Sequence, residues 1–262
     1  IQSMKNLGFN MLRKHAKIES ARWYYHCDRL GMIVWQDMVN GGGYSAPLMT
    51  WLPTLWPPFR TKFTDKLYPL LGRKDSHGRE QFVQECRSTI QALHAFPCIS
   101  TWVIFNEGWG QFDSEKVTKY IRDYDSTRLI DSASGWYDQK AGDFNSIHNY
   151  FFKFRTPKLD DRILLLSEFG GYSYLEKEHS SAEKVYGYRK FKDRLSLAEA
   201  IQKLYEKQII PNIPRGLSGC IYTQVSDVQD ECNGIFTEDR KMIKIDKKKM
   251  KKINDRCQRS LY

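Results

Sequence analysis

Two short segments hold most of the chemistry available to this chain of 262 residues. Trp102-Val103-Ile104-Phe105-Asn106-Glu107 and Leu164-Leu165-Leu166-Ser167-Glu168-Phe169-Gly170-Gly171 are each an apolar run that ends in a carboxylate. Runs of this kind read as strands buried on both faces. In a parallel α/β barrel the strand C-termini converge on one face, so two glutamates far apart in sequence can meet across one substrate. Paired carboxylates are the equipment for breaking a glycosidic bond. In the retaining form of that chemistry, one glutamate is ionised and attacks the anomeric carbon. The other is protonated, its pKa raised by burial and nearby negative charge, and it donates to the leaving oxygen.

The elements that must position these groups alternate between strand and helix, the order of a parallel sheet covered by helices. The pattern predicts strands at Gly8–His15, Gly31–Asp37, Ile99–Glu107, Arg128–Ser134, Ser146–Phe151, Ile163–Phe169 and Gly219–Val225. Between them lie helices with apolar stripes. One carries Trp23, Cys27 and Leu30; another, Glu80–Ala95, carries Phe82, Cys86, Ile90 and Leu93; a third turns Val117, Tyr120, Ile121 and Tyr124 inward. Ser196 and Glu199 read as a capping box opening a helix with Leu197, Ile201, Leu204 and Tyr205 inward. The fold class expected is α/β, a (β/α)8 TIM barrel with its first strand missing, because only seven strands are found and Ile1–Leu7 reads as the end of a helix. With no repeat and no low-complexity linker, residues 1–262 read as one domain, a fragment of a longer multidomain protein.

Composition narrows the function classes. The net charge of +10 is concentrated in residues 241–256, which carry a net +6, so the other 246 residues hold only +4. There Met250, Ile253, Cys257 and Leu261 recur at helical spacing between lysines, a docked amphipathic helix rather than a polyanion-binding tail. Nucleic acid is therefore not expected as a partner. No stretch approaches the ~20 apolar residues of a membrane helix, and no membrane partner is expected. Six scattered cysteines without a CxxC pair argue against zinc. Cys86 and Cys220 read as buried free thiols, which points to a reducing compartment, the cytoplasm. The connections Asn40–His77, with Trp51 and Trp56, and Tyr172–Leu195, rich in Tyr, follow strands and lie on the site face. Their aromatics suit either stacking on sugar rings or covering the barrel mouth.

Asn106-Glu107 after an apolar strand resembles the acid/base motif of glycoside hydrolase family 2, which includes β-galactosidases, β-glucuronidases and β-mannosidases. Ser167-Glu168-Phe169-Gly170 resembles that family's nucleophile motif. Gly8-Phe9-Asn10-Met11-Leu12-Arg13-Lys14-His15 is similar to its second barrel strand, and Cys27-Asp28-Arg29-Leu30-Gly31-Met32-Ile33-Val34-Trp35 to the approach to the third. Gln224-Val225-Ser226-Asp227-Val228, through Asn233-Gly234-Ile235-Phe236-Thr237-Glu238-Asp239-Arg240, is similar to the close of the barrel. The resemblance implies Glu107 as acid/base and Glu168 as nucleophile, a carbohydrate substrate, and β-sandwich domains upstream in the same polypeptide. No cofactor or metal is expected, since Gly170-Gly171-Tyr172 follows Glu168 in place of the metal-linked features of large β-galactosidases. It implies that Asn106 bonds the sugar's 2-hydroxyl and that His148 and Tyr150 touch Glu168. Arg13 and His15 end a strand at the site face, as sugar ligands or as a structural ion pair. Asp37, Trp136 and Tyr222 end strands as either sugar contacts or supports, and Gln224 stands where the clan often places a tryptophan platform.

The sugar is read from departures. Family β-glucuronidases carry an Asn-x-Lys element before Gly-Ile-Phe-Thr, whereas here Glu231-Cys232-Asn233 precedes Gly234-Ile235-Phe236-Thr237. The lysine is absent, which favours a neutral, galactoside-like β-hexoside. A carbohydrate-binding module would not need both carboxylates, and a metal-dependent hydrolase would need a His/Asp cluster at strand ends. An inactive barrel serving as a binding or scaffold domain remains the alternative.

Overall fold

The computed structural model describes residues 1–45, 52–55 and 62–260. The chain divides into two compact units. The first comprises Ile1, Asn10–Ile147 and Asp160–Leu164; the second comprises Gln2–Phe9, His148–Leu159 and Leu165–Tyr262.

In the first unit four strands form a sheet in chain order: β1 (Met11–Lys14), β2 (Ile33–Asp37), β3 (Ile99–Asn106) and β4 (Leu129–Ser134). All three pairings are parallel, and the register ends with Asp37 beside Val103 and Asn106 beside Ser134. The strand C-termini thus emerge at one edge. β3 is buried on both faces, with Trp102, Val103, Ile104 and Phe105 each at 1% exposure or less, as a strand between two parallel neighbours must be. Helices α2 (Ala21–Leu30), α4 (Ser76–Leu93) and α5 (Ser114–Tyr124) belong to this unit, with a short helical turn, α3 (Leu52–Leu55). α2 stops at Gly31, whose left-handed backbone (φ +60°) closes the C-terminus. α4 starts at Asp75, whose carboxylate accepts from the His77 and Gly78 amides. α5 buries Val117, Thr118 and Ile121, while Tyr120 and Tyr124 are exposed. The inward stripe expected to include both tyrosines is therefore narrower. Tyr124 instead meets the Arg87 guanidinium, 5.2 Å from its ring centroid.

The second unit contains α1 (Gln2–Asn6), most of β6 (Ile163–Gly170), the two-residue strands β7 (Tyr172–Ser173) and β8 (Arg189–Lys190), α6 (Arg194–Leu204), β9 (Leu217–Thr223) and α7 (Lys247–Arg259). β6 lies between β9 and β5 (Phe144–Asn149) in a three-stranded sheet. β5 ends two residues earlier than the predicted strand because the Asn149 side chain folds onto the backbone. Its Nδ2 donates to the Phe152 carbonyl (2.8 Å) and its Oδ1 accepts the Phe152 amide (3.3 Å). α6 opens at Asp193, not at Ser196: the Asp193 carboxylate accepts the Ser196 amide at 2.8 Å. Cys86 is buried as expected, whereas Cys220 is half-buried, since β9 has one hydrogen-bonded neighbour; all six cysteines are free.

The lysine-rich segment forms α7, with Met250 and Ile253 buried and Cys257 half-buried. Leu261, Trp51 and Trp56 lie outside the described residues. Asn254 donates to the Leu7 carbonyl at 2.9 Å and Gln258 to that of Gly8 at 2.8 Å, fastening α7 to the turn after α1. One lysine of the basic segment departs from the solvated face expected for it. Lys244 is fully buried, with Nζ donating to Asp227 Oδ1 (2.7 Å), the Cys232 carbonyl (2.9 Å) and the Tyr174 carbonyl (3.0 Å). No described helix is long and apolar enough to cross a membrane.

Candidate active site

The first unit brings four of the expected site residues into one network at the ends of β1 to β4. Arg13 forks onto Asp37, with Nε donating to Oδ1 and Nη2 to Oδ2, both at 2.9 Å. The remaining donors reach the neighbouring strands: Nη1 to Ser134 Oγ (3.0 Å) and Nη2 also to Asn106 Oδ1 (2.8 Å). His15 Nδ1 and the Ala16 amide complete the contacts of Asp37 Oδ2 at 2.9 and 3.3 Å. The Arg13 and Asp37 side chains are each 3% exposed, while His15 is 57% exposed, so a desolvated bidentate pair carries the network and the histidine lies at its edge. Burial alone would raise the Asp37 carboxyl. The Arg13 charge and the His15 hydrogen bond outweigh it and hold the group at about 2. Asn106 accepts from Arg13 through Oδ1, which makes its Nδ2 the donor end of the amide.

Glu107 follows directly, with a left-handed backbone (φ +53°) that glutamate seldom adopts. Its amide donates to the Ser134 carbonyl at 2.9 Å, and the Trp109 amide returns to the Asn106 carbonyl at 3.0 Å. The carboxyl is partly accessible yet sits deep among protein atoms. Burial pushes it up to about 7, against the lowering influence of the His15 and Arg13 charges. A carboxyl in such a state holds a proton near neutrality. Trp136 lies two residues beyond β4, half-buried, outside the Arg13 hydrogen bonds described above.

The second unit gathers the residues around Glu168. The Tyr150 hydroxyl donates to Glu168 Oε2 at 2.5 Å and lies 3.1 Å from Thr223 Oγ1. His148 Nδ1 stands 3.3 Å from the same Oε2, its ring fully buried. Sequence reading selected His148, Tyr150 and Glu168 together, and the structure brings them together. Tyr222 behaves differently: its ring packs edge-on against Phe169 (centroids 5.6 Å apart), which in turn meets Tyr205 at 5.3 Å. It is a packing residue, and burial pushes its phenol far up. Gln224 donates through Nε2 to Asn233 Oδ1 (2.6 Å) and Glu231 Oε2 (2.9 Å).

Sequence reasoning missed Ser134, Thr223 and Lys244. For the first two a signal exists, since each closes a strand at the same end as a chosen residue. Lys244 has none, because nothing local distinguishes it from its solvated neighbours.

A parallel sheet whose strands are joined by helices defines the α/β barrel class of domain. Residues 1–184 match the family model described as glycosyl hydrolases family 2, TIM barrel domain. The chain belongs to that family. Its fold is similar to that of a family 2 β-galacturonidase from Eisenbergiella tayi bound to galacturonate (TM-score 0.65, 16% identity, 97% of this chain and 46% of that one). It is also similar to a β-glucuronidase from an uncultured Clostridium species (TM-score 0.64, 16% identity, 98% and 46%). A third relative in fold is the β-D-glucuronidase of Dictyoglomus thermophilum (TM-score 0.61, 15% identity, 98% and 46%). This chain spans less than half the length of each of these proteins. No curated protein matches it in sequence.

Proposed function

We propose that the protein is a retaining β-glycosidase, with Glu168 as nucleophile and Glu107 as acid/base. The observation that carries this reading is the different keeping of the two carboxyls. Glu107 is raised to about 7 by burial, as a proton donor must be. Glu168 presents Oε2 to Tyr150 and His148, contacts that orient its carboxylate for attack on the anomeric carbon. Attack forms the glycosyl–oxygen bond to Glu168 as the bond to the leaving oxygen breaks, and that oxygen takes the Glu107 proton. Glu107, now a carboxylate, then removes a proton from the water that displaces Glu168 and regenerates both groups. Asn106, whose Oδ1 accepts from Arg13, donates through Nδ2 to the sugar's 2-hydroxyl, a contact that strengthens in the transition state.

For the sugar, we favour a neutral, galactoside-like β-hexoside. Where family β-glucuronidases carry the lysine of an Asn-x-Lys element for the sugar carboxylate, this chain has Asn233, in Glu231-Cys232-Asn233, which brings no positive charge to a uronate. The activity belongs to the full-length polypeptide, including the β-sandwich domains that the family resemblance places upstream, and the barrel residues act there as one catalytic domain.

The test is turnover of 4-nitrophenyl β-galactoside and β-glucuronide by the full-length protein. It is followed by trapping with the matching activated 2-deoxy-2-fluoro glycoside and peptide mass spectrometry. The expected result is galactoside turnover above glucuronide and a glycosyl adduct on Glu168. An adduct elsewhere, or an inverted anomeric product by NMR, overturns the mechanism. Faster glucuronide turnover overturns the sugar assignment alone.

A further inference from the structure

We propose that Tyr188 is a positioning residue for the reaction: it stacks on Tyr150 and so aims the Tyr150 hydroxyl at Glu168. The proposal rests on the glycosidase reading above and goes beyond it by assigning a residue from the Tyr172–Leu195 connection to the catalytic geometry.

Tyr150 and Tyr188 lie face to face, ring centroids 3.8 Å apart and planes within 10°. The Tyr150 hydroxyl is the group that reaches Glu168 Oε2 and Thr223 Oγ1. A phenol ring on a β-carbon has two torsions, and the hydrogen bonds at its tip do not fix the ring's tilt. The Tyr188 ring covers its face, with the Gly171 backbone and the His148 ring also beside it. Tyr150, Phe151 and Tyr188 all line a cavity of about 380 Å³. Without Tyr188, the Tyr150 ring has room to turn away from Glu168.

The backbone is arranged to deliver Tyr188 to that place. The Gly171 amide donates to the Thr223 carbonyl at 3.0 Å, and the Gly171 carbonyl accepts the Tyr188 amide at 3.2 Å. The circuit therefore runs from Thr223 through Gly171 to Tyr188, across the stack to Tyr150, and back to Thr223 Oγ1. β7 and β8 extend it, pairing Tyr172 with Arg189 and Ser173 with Lys190. Two glycines make the approach possible. A β-carbon at Gly171 (φ +61°) would stand 2.4 Å from the Tyr188 ring, and one at Gly187 would stand 1.5 Å from Ser173 Oγ. Phe151 closes the edge of Tyr188, with centroids 5.1 Å apart and planes at 83°.

The experiment compares Tyr188→Leu and Tyr188→Phe in the full-length protein, alone and combined with Tyr150→Phe. Thermal unfolding is recorded for each. Tyr188→Phe keeps the stack and is expected to hold kcat within about twofold. Tyr188→Leu keeps apolar bulk but not the flat face, and is expected to lower kcat about 10- to 100-fold with KM little changed, the scale of one hydrogen bond to a charged group. In the Tyr150→Phe background the same Leu substitution should cost less than about threefold, because there is no hydroxyl left to aim. A residue that merely stabilises the fold would cost the same in both backgrounds, and that result overturns the proposal. Wild-type kcat in Tyr188→Leu overturns it as well.

An independent readout separates this proposal from the glycosidase reading. The ¹³Cζ resonance of Tyr150, assigned by its loss in Tyr150→Phe, should move toward the free-tyrosine position in Tyr188→Leu and stay in place in Tyr188→Phe. If the wild-type protein hydrolyses no glycoside, the functional reading fails while this signal still decides the stack. An unmoved Tyr150 resonance in Tyr188→Leu overturns the positioning role whatever the activity.

Discussion

Glu107 follows β3 directly and Glu168 lies two residues before the end of β6, and the chain treats them differently. Near Glu107, Arg13 bonds Asp37, Ser134 and Asn106, and His15 bonds Asp37. Their charges lower the Glu107 carboxyl, but burial outweighs them and it rises to about 7. Around Glu168 the partners are short side-chain contacts, a phenol at 2.5 Å and an imidazole nitrogen at 3.3 Å on one oxygen. The difference teaches how one chain gives the same residue type two settings. Burial that outweighs nearby cations makes one carboxyl keep its proton, and directed contacts fix the orientation of the other.

Removing the nucleophile is the largest break in that comparison. Glu168→Ala should lower kcat on the order of 10⁴-fold and abolish the covalent adduct, measured by steady-state kinetics and intact-mass spectrometry. A variant that still turns over at a tenth of the wild-type rate would remove Glu168 from its role. Glu107→Gln comes next, lowering kcat about 10²- to 10⁴-fold on glycosides with poor leaving groups. The wild-type rate should fall as pH rises through about 7, where Glu107 loses its proton, and that limb should vanish in the variant.

Smaller effects sharpen the comparison through stability. The Glu107 carboxyl sits near 7 in the fold against an ordinary 4.5, so the folded state loses stability as pH rises from about 4.5 to 7, by up to about 3 kcal/mol. Glu107→Gln should therefore be more stable than wild type at pH 8 and nearly equal at pH 4, by urea denaturation. Breaking the buried pair beside it acts the other way. Arg13→Leu strands the Asp37 charge and should cost roughly 3–5 kcal/mol. Asp37 itself, held at about 2 from an ordinary 3.8, contributes stability present above about pH 4 and lost as pH falls toward 2, about 2 kcal/mol in all. Asp37→Asn should flatten that part of the acid unfolding curve, and an unchanged curve would show that the Arg13 fork is not felt in solution.

The second unit holds a buried ion pair of a different kind. In Lys244–Asp227 burial pushes the ammonium down and the carboxyl up, whereas Arg13 overcomes burial and keeps Asp37 ionised. A planar fork with two parallel hydrogen bonds compensates desolvation better than a single ammonium contact. The Lys244 nitrogen spends its other donors on two carbonyls, of Cys232 and Tyr174, which ties the chain near the end of the barrel to the start of the Tyr172–Leu195 connection.

Much of this molecule is legible in its sequence, for a physical reason. Strands that are buried on both faces must be apolar throughout, so β3 and β6 announce themselves, and the residues that close them are visible by position alone. Arg13, Asp37, Glu107 and Glu168 are legible by their place at the expected strand ends, and Asn106, His148 and Tyr150 through the family resemblance. Helix stripes were legible to within a residue or two at their centres, but their ends were not. The α6 cap moved to Asp193 because an aspartate three residues upstream competes for the Ser196 amide, and the width of the α5 stripe depended on what lies beside it.

What the sequence determined by itself was the alternation of elements and the strand-end carboxylates, because these follow from periodicity and residue type along the chain, and its motifs carried the resemblance to the family. What only the tertiary structure decided was the state of each group. That Arg13 pairs with Asp37, that burial lifts Glu107, that Tyr188 lies flat on Tyr150, and that one lysine of a basic segment is buried all depend on distances between residues far apart in the chain. Electrostatics and packing are set by those distances, and no spacing within the sequence encodes them.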